Sequence, residues 1–449
     1  MSIQKHELSL FIFRRDLRLD DNIGLLESLK ASNKILPIFI LTPEQLINNK
    51  YKSDNCVQFM MESLEYLNTL LGKKKSKLFY FYGDIIKVLT KLYTELGYTA
   101  IFLNQDYTPY STKRDKRIEE FCNKHNIQFN SYEDILLNPV SSITNVQGSV
   151  YTKFTPYFNQ AKKVKVPKPI KCTRTNFVNK TFKVTNQYDK KKLSKFYKYN
   201  SKLAYHPTTN MLIKIKEQQK YNQNRNYLSQ ETTGLSVYIK FGIYSIRQVY
   251  HEMIKHLGKR NDLIKQLYWR DFYYNIAYNY PNILGKKGNL NEKYDKIDWW
   301  GTTSNLNKWK NGTTGFPVVD AAMRQMNTTG YMHNRGRLIV GSFLVKILLV
   351  DWKKGEKYFA SKLIDYDPSV NTGNWGWVAG SGADAQPYFR IFNPWLQSAK
   401  YDHNAEYIKT WIPELKNVPA NDIHKWYETY ENYKAINYPK PIVNYETQR

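Results

Sequence analysis

The first hundred residues carry short apolar runs at intervals: LSLFIF at 8–13, ILPIFIL at 35–41, LFYFY at 78–82 and AIFL at 100–103. Each is separated from the next by a helix-length segment. Within residues 53–71, SDNCVQFMMESLEYLNTLL, the apolar positions 57, 60, 61, 64, 67 and 71 return at helical spacing. Asp84, and Ser111 or Thr112, stand where helix caps belong. Strands alternating with helices predict a parallel, doubly wound sheet with helices on both faces. From 141 to 205 the pattern dissolves. AKKVKVPKPIKCTRTNFVNKTFKV and DKKKLSKFYKY are basic and poorly periodic, and read as a long linker wrapped on the surface. Beyond 205 the apolar spacing is mostly helical, as in LIVGSFLVKILLVDW at 338–352. The expected fold is α/β + all-α: a Rossmann-like domain over 1–140, an interdomain linker over 141–205, and a helical domain over 206–449.

Residues 365–394, DYDPSVNTGNWGWVAGSGADAQPYFRIFNP, fit neither pattern. Four glycines and three prolines are too many for a core helix. Trp375, Trp377, Tyr388, Phe389 and Phe392 are too apolar for a solvated loop. The stretch reads as backbone folded closely around something flat.

Charge narrows the partners. The 449 residues carry a net charge of +28, an excess that points to a polyanion, most simply nucleic acid. A solvated, lysine-rich surface accounts for the charge equally well. The three cysteines, Cys56, Cys122 and Cys172, are far apart and form no CxxC. That argues against a disulfide framework or zinc cluster and for a reducing compartment, cytoplasm or nucleus. No apolar run approaches a membrane span of about 20 residues, and MSIQKHELSLFIF lacks a signal-peptide pattern. A soluble intracellular chain, acting as a monomer, is expected.

Two enzyme templates fail on inspection. GSGADA at 380–385 fits a loose GxGxxA pattern but has no strand before it. HEMIKH at 251–256 spaces its histidines five apart, so they do not share a helix face.

Several stretches, in this order and spacing, identify a family. They are FRRDLRLDDN (13–22), TTGLSVYIKFGIYSIRQ (232–248), QLYWRDFY (266–273), GFPVVDAAMRQMNTTGYMHNRGRL (315–338), DWKKGEKYF (351–359), the 365–394 stretch and YIKTWIPEL (407–415). Together they resemble the DNA photolyase/cryptochrome family, and within it the class I cyclobutane pyrimidine dimer (CPD) photolyases. The resemblance is most specific over 232–415, looser over 1–140, and absent from the linker.

It implies light-driven repair of UV-damaged DNA by reduced FAD, with the glycine- and aromatic-rich stretch walling a folded FAD. TTGLS at 232–236 is, from its residues alone, equally a pyrophosphate cradle or a plain N-cap. The resemblance favours FAD for Thr232, Thr233, Gly234, Leu235 and Ser236. It adds Tyr221, Arg270, Arg337, Asp365 and Asp367 as cofactor contacts and puts Asn371 opposite flavin N5. Trp375, Trp352 and Trp299 match the family's electron-transfer series from flavin to surface, with Trp300 an ambiguous neighbour of Trp299. Trp269 and Trp377 match the aromatic walls around a flipped dimer. Arg225, Gln266, Asn334, Arg335, Leu338 and Gln397 match further DNA or lesion contacts.

Two positions depart from the class I pattern. Gln266 replaces the usual Glu, as in 6-4 photoproduct photolyases, and Leu338 replaces the usual Met. The paired lesion-site histidines of the 6-4 enzymes are absent, because Asn334 and Leu338 occupy those positions. A 6-4 photolyase and a signalling cryptochrome are the alternatives. NQDYTPYSTKRD at 104–115 lies where relatives help bind an antenna chromophore; folate, a deazaflavin, a flavin or nothing remain open.

Overall fold

Residues 5–285, 288–385 and 391–448 are described by the structure, a computed structural model. Tyr388 and Phe389, expected at the cofactor and lesion wall, lie outside the described residues.

The predicted apolar runs are buried strands. β1 (His6–Phe13), β2 (Ser32–Leu41), β3 (Phe79–Tyr82), β4 (Ala100–Asn104) and β5 (Gln128–Tyr132) form one parallel sheet in the order β3-β2-β1-β4-β5. The register sets Phe13 against Phe39 and Phe11 against Phe102. β5, QFNSY, has no apolar run and was not foreseen. As an edge strand it needs no second buried face. Helices α1 (Ile23–Ala31), α2 (Pro43–Leu46), α3 (Asp54–Lys73), α4 (Ile85–Leu96) and α5 (Pro109–Lys124) make the connections. Asp84 caps α4 by accepting from the N–H groups of Ile86 and Lys87. α5 starts earlier than expected: Thr108 is its cap and Pro109 its first residue, while the Ser111 hydroxyl bonds to Asp106.

Residues 141–205 are not a loose tether. They contain α6 (Phe154–Ala161), then pair their backbone with the domain they cross. The Ile170 N–H meets the Asp21 carboxylate, Val178 bonds the Ile35 carbonyl, and Tyr188 bonds the Tyr80 carbonyl. Backbone polar groups held against a buried surface need such partners.

The remainder is helical: α7 (Tyr221–Asn224), α8 (Leu235–Phe241), α9 (Ile246–Leu257), α10 (Asp262–Asn279), α11 (Thr303–Asn311), α12 (Pro317–Thr329), α13 (Asn334–Ser342), α14 (Trp352–Ala360), α15 (Pro368–Ala379), α16 (Pro394–Tyr401) and shorter turns after it. The apolar segment 338–352 is broken: a π-helical turn, Phe343–Ile347, follows α13, and Asp351 caps α14. The glycine-rich stretch begins as a helix, against expectation. Its glycines serve close packing. A Cβ on Gly373 would come within 2.2 Å of the Tyr273 ring, so α15 lies hard against α10 only because that carbon is missing.

A buried charge cluster clamps the sheet domain to α9. Arg247 reaches Asp21 at 2.9 Å and Asp134 at 2.8 Å, and Arg18 reaches Asp134 at 2.6 Å. Burial disfavours a charged Asp134, but the two guanidiniums hold its carboxyl below the usual range.

Candidate cofactor and lesion site

α10 and α15 form one wall. Gln266 and Trp269 sit three residues apart on α10 and so share a face. Phe154 of α6 stacks flat against the Trp269 indole, with ring centroids 3.7 Å apart and planes at 7°. Tyr273 leans on the same indole at 5.6 Å. Trp377 stands half-buried on α15. A planar, half-exposed indole backed by a second ring is a surface on which a pyrimidine can stack.

Beside this wall lies a pair of arginines, Arg225 and Arg335, with no carboxylate partner among the described residues. Arg335, at the start of α13, stacks over Tyr401 at 4.4 Å and bonds Asn226; its Nε is buried without a partner. Burial lowers its pKa, and the nearby Arg225 charge lowers it further against the pull of Tyr401. Two guanidiniums held this way favour an arriving phosphate. Asn334 and Leu338 lie one turn apart on α13, and Gln397 on α16 keeps a buried Oε1 that lacks a donor. His333, the cap of α13, is held neutral with its pKa near 4 by burial and the Arg335 and Arg337 charges.

The proposed cofactor residues form a second cluster. Arg337 bonds Asp365 at 3.0 Å, and the Ser236 hydroxyl donates to the same carboxylate at 2.7 Å, so the TTGLS turn is tied to α13. Gly234 takes a φ of +62° with the Tyr205 ring directly behind it, where a Cβ would come within 2.5 Å. Thr232 and Tyr221 line a cavity of about 210 Å³. Thr233 and Leu235 are buried.

Asn371 donates through Nδ2 to the Glu356 carboxylate at 3.0 Å and to its carbonyl at 3.3 Å, and its Oδ1 accepts from no donor among the described residues. Burial raises the pKa of Glu356 and the amide bond from Asn371 opposes it. Hydroxyls and a cation suited to a diphosphate, with an open amide oxygen suited to a flavin N5–H, form a donor set that fits FAD.

Two expected cofactor residues have other partners. Asp367 caps α15 and binds Arg15 of the sheet domain and the Tyr274 hydroxyl. Burial disfavours its charge, but Arg15 and Arg270 hold its carboxyl below the usual range. Arg270 bonds the Ile135 carbonyl and stacks over Tyr274.

The tryptophans differ in burial. Trp375 is 4 % exposed, Trp352 3 %, Trp299 partly buried and Trp300 79 % exposed. Trp375, Trp352 and Trp299 contact one apolar cluster. The Trp352 indole donates to Asn289, which also accepts from Ser381. Gly301 pairs with Leu349, bringing the 299–301 segment beside the chain that leads into Trp352. Trp309, which no sequence motif marks, packs edge-on to Trp375 at 6.3 Å. Phe154 and Glu356 likewise belong to no motif. The dense aromatics of YTKFTPYF, inside an otherwise basic linker, were the signal for the first. For the second there was no local signal, since its meaning lies in the contact with Asn371.

A larger cavity, about 820 Å³, opens at the C-terminal ends of β1 and β2, next to the point where the strand order reverses. That is where open parallel sheets bind ligands. Arg14, Arg15 and Arg114 line it with Asp106, and the Arg114 Nη2 is buried without a partner. Burial disfavours a charged Asp106, but the arginines hold its pKa at about 2. Tyr110 and Ser111 line the cavity as well.

A parallel α/β domain clamped to a helical domain with a flavin-type donor set and buried indoles beside it points to a flavoprotein of the photolyase/cryptochrome class. Residues 9–173 match the family model of DNA photolyase, and residues 263–449 match that of the FAD binding domain of DNA photolyase. A deoxyribodipyrimidine photo-lyase of Buchnera aphidicola (subspecies Baizongia pistaciae) is 35 % identical, over 98 % of this chain and 95 % of its own. The archaeal photolyase from Sulfolobus tokodaii, whose crystal structure holds two FAD molecules, superposes with a TM-score of 0.86 at 38 % identity, covering 98 % of this chain and 97 % of its own. A Synechocystis cryptochrome superposes at 0.87 with 27 % identity, covering 99 % and 98 %. The chain belongs to the DNA photolyase family.

Proposed function

We propose that this chain is a light-driven DNA repair enzyme that splits cyclobutane pyrimidine dimers. The observation that carries the reading is the Phe154–Trp269 stack, with Gln266 on the same face of α10. It offers a dimer a flat wall and an amide that both donates and accepts hydrogen bonds. A damaged, poorly stacked pair leaves the duplex more cheaply than an intact one. Trp377 closes the dimer from α15, while Arg225 and Arg335 take the flanking phosphates.

FAD, when bound, supplies the absorption of blue or near-ultraviolet light and the electron that opens the cyclobutane ring. Ser236, Thr232 and Arg337 would hold it, and Asn371, fixed by Glu356, would offer its amide oxygen as an acceptor to a flavin N–H. Trp375, Trp352 and Trp299 would pass electrons to it from a reductant in solution. The 820 Å³ cavity takes an antenna chromophore with an anionic group for Arg114. A second FAD, as in the Sulfolobus tokodaii photolyase, suits that chemistry. The enzyme works as a monomer in a reducing compartment, with its three cysteines as free thiols. Among the described residues no helix is long and apolar enough to cross a membrane.

The 6-4 alternative rests on Gln266. It needs a proton donor at the lesion, and Asn334, Leu338 and a neutral His333 do not supply one near pH 7. Flavin content tests the cofactor reading directly. Protein reconstituted with excess FAD and then desalted should release one flavin or more per chain on heating. A flavin-free supernatant would overturn it.

A further inference from the structure

The linker carries a charge excess that the lesion pocket does not use. Between Asp134 and Asp189 there are nine basic residues and no acidic one. The run starts at the pocket. Phe154, which backs Trp269, opens α6; Phe158 follows one turn later against Tyr268, and the Lys162 ammonium lies over Phe158 at 5.1 Å. The chain then leaves the helix as KKVKVPKPIK, with Lys163, Lys165 and Lys168 exposed and free of ion pairs. Its course is fixed: the Pro167 carbonyl meets His251 on α9, and Ile170 is pinned to Asp21. The five residue steps from Lys163 to Lys168 reach about 17 Å at most, about half a turn of B-DNA, whose full turn is about 34 Å.

We propose that Lys163, Lys165 and Lys168 form a second DNA-binding surface. It contacts phosphates of the duplex flanking the lesion and works independently of the dimer itself. Lysines free of ion pairs, on a backbone track that begins behind the lesion wall, bind by releasing counterions and carry no sequence information. The inference rests on Trp269 being the lesion wall.

The test compares salt dependence of duplex binding for two triple variants. One is Lys163→Gln, Lys165→Gln and Lys168→Gln. The other is Lys190→Gln, Lys191→Gln and Lys192→Gln, equally basic and exposed, but in the part of the linker near Glu65 of α3. For the first, the log–log slope against salt should become shallower by about 2.7, with the preference for dimer-containing over intact DNA unchanged. For the second, the slope should change by less than about 1. Equal changes in both would make the effect one of overall charge and overturn the proposal, as would no change in the first. Wild-type protein without any dimer preference would instead remove the lesion-wall reading on which the proposal stands.

Discussion

Phe154 lies flat against Trp269 at 3.7 Å, although the two are more than a hundred residues apart and Phe154 belongs to the interdomain segment. The stack fixes the indole plane, so in the proposed lesion pocket the linker is a working part. Phe154→Leu keeps most of the buried volume and removes the ring. It should weaken binding of dimer-containing DNA by two- to tenfold, on the scale of about 0.5–1.5 kcal/mol for an aromatic pair. Affinity for intact duplex should not change. Titration of both oligonucleotides checks this, and an equal loss for both would mean that Phe154 acts only through general stability.

The indole series makes a separable prediction. Trp352→Phe should slow photoreduction of the bound flavin at least tenfold, because phenylalanine is far harder to oxidise. Repair should be unaffected when the flavin is reduced chemically beforehand. Flash spectroscopy and repair assays on one preparation separate the two. Trp309→Phe should have the smaller effect: Trp309 touches Trp375 but is fully buried and offers no outward step.

Asp271 gives a pH signature. Its Oδ2 accepts from the Leu137 and Asn138 N–H groups, and its Oδ1 has no hydrogen-bond donor. Burial raises its pKa to about 7, against the opposing Arg270 charge. The folded state therefore binds a proton that the unfolded chain has released above about pH 4. This group's contribution to stability is fully present below that pH and is lost as the pH rises to about 7. Asp271→Asn keeps the acceptor and removes the titration. The variant should gain on wild type by on the order of 2–4 kcal/mol between pH 4 and 8. Parallel unfolding curves at both pH values would contradict it.

The Arg247 clamp predicts a large structural cost. Arg247→Ala leaves Asp21 without its guanidinium and Asp134 with only Arg18, all buried. Stability should fall by about 3–5 kcal/mol, read as a lowered denaturant midpoint. A loss below about 1 kcal/mol would place the pair among weak surface bridges.

What was legible in the sequence follows from what is local. The helical period over 57–71 and the apolar runs report burial residue by residue, and they became α3 and β1–β4. β5 was illegible because an edge strand has no buried face to print a pattern. The glycines of α15 were misread because local propensity counts their cost, and the compensation is the Tyr273 ring on another helix. The same holds at the site. Trp269 and Gln266 could be marked from a motif, but Phe154 behind the indole and Glu356 beside Asn371 are tertiary facts.

The central claim is that the pocket repairs cyclobutane dimers. The most direct measurement illuminates the enzyme, flavin reduced, with two oligonucleotides, one holding a cyclobutane dimer and the other a 6-4 photoproduct. Gln266 gives the dimer hydrogen bonds without the charge of a Glu, and no side chain at Asn334 or Leu338 donates the proton that 6-4 repair requires. Restoration of the cyclobutane substrate alone is predicted, with Gln266→Glu keeping that specificity. Restoration of the 6-4 substrate alone would contradict the account.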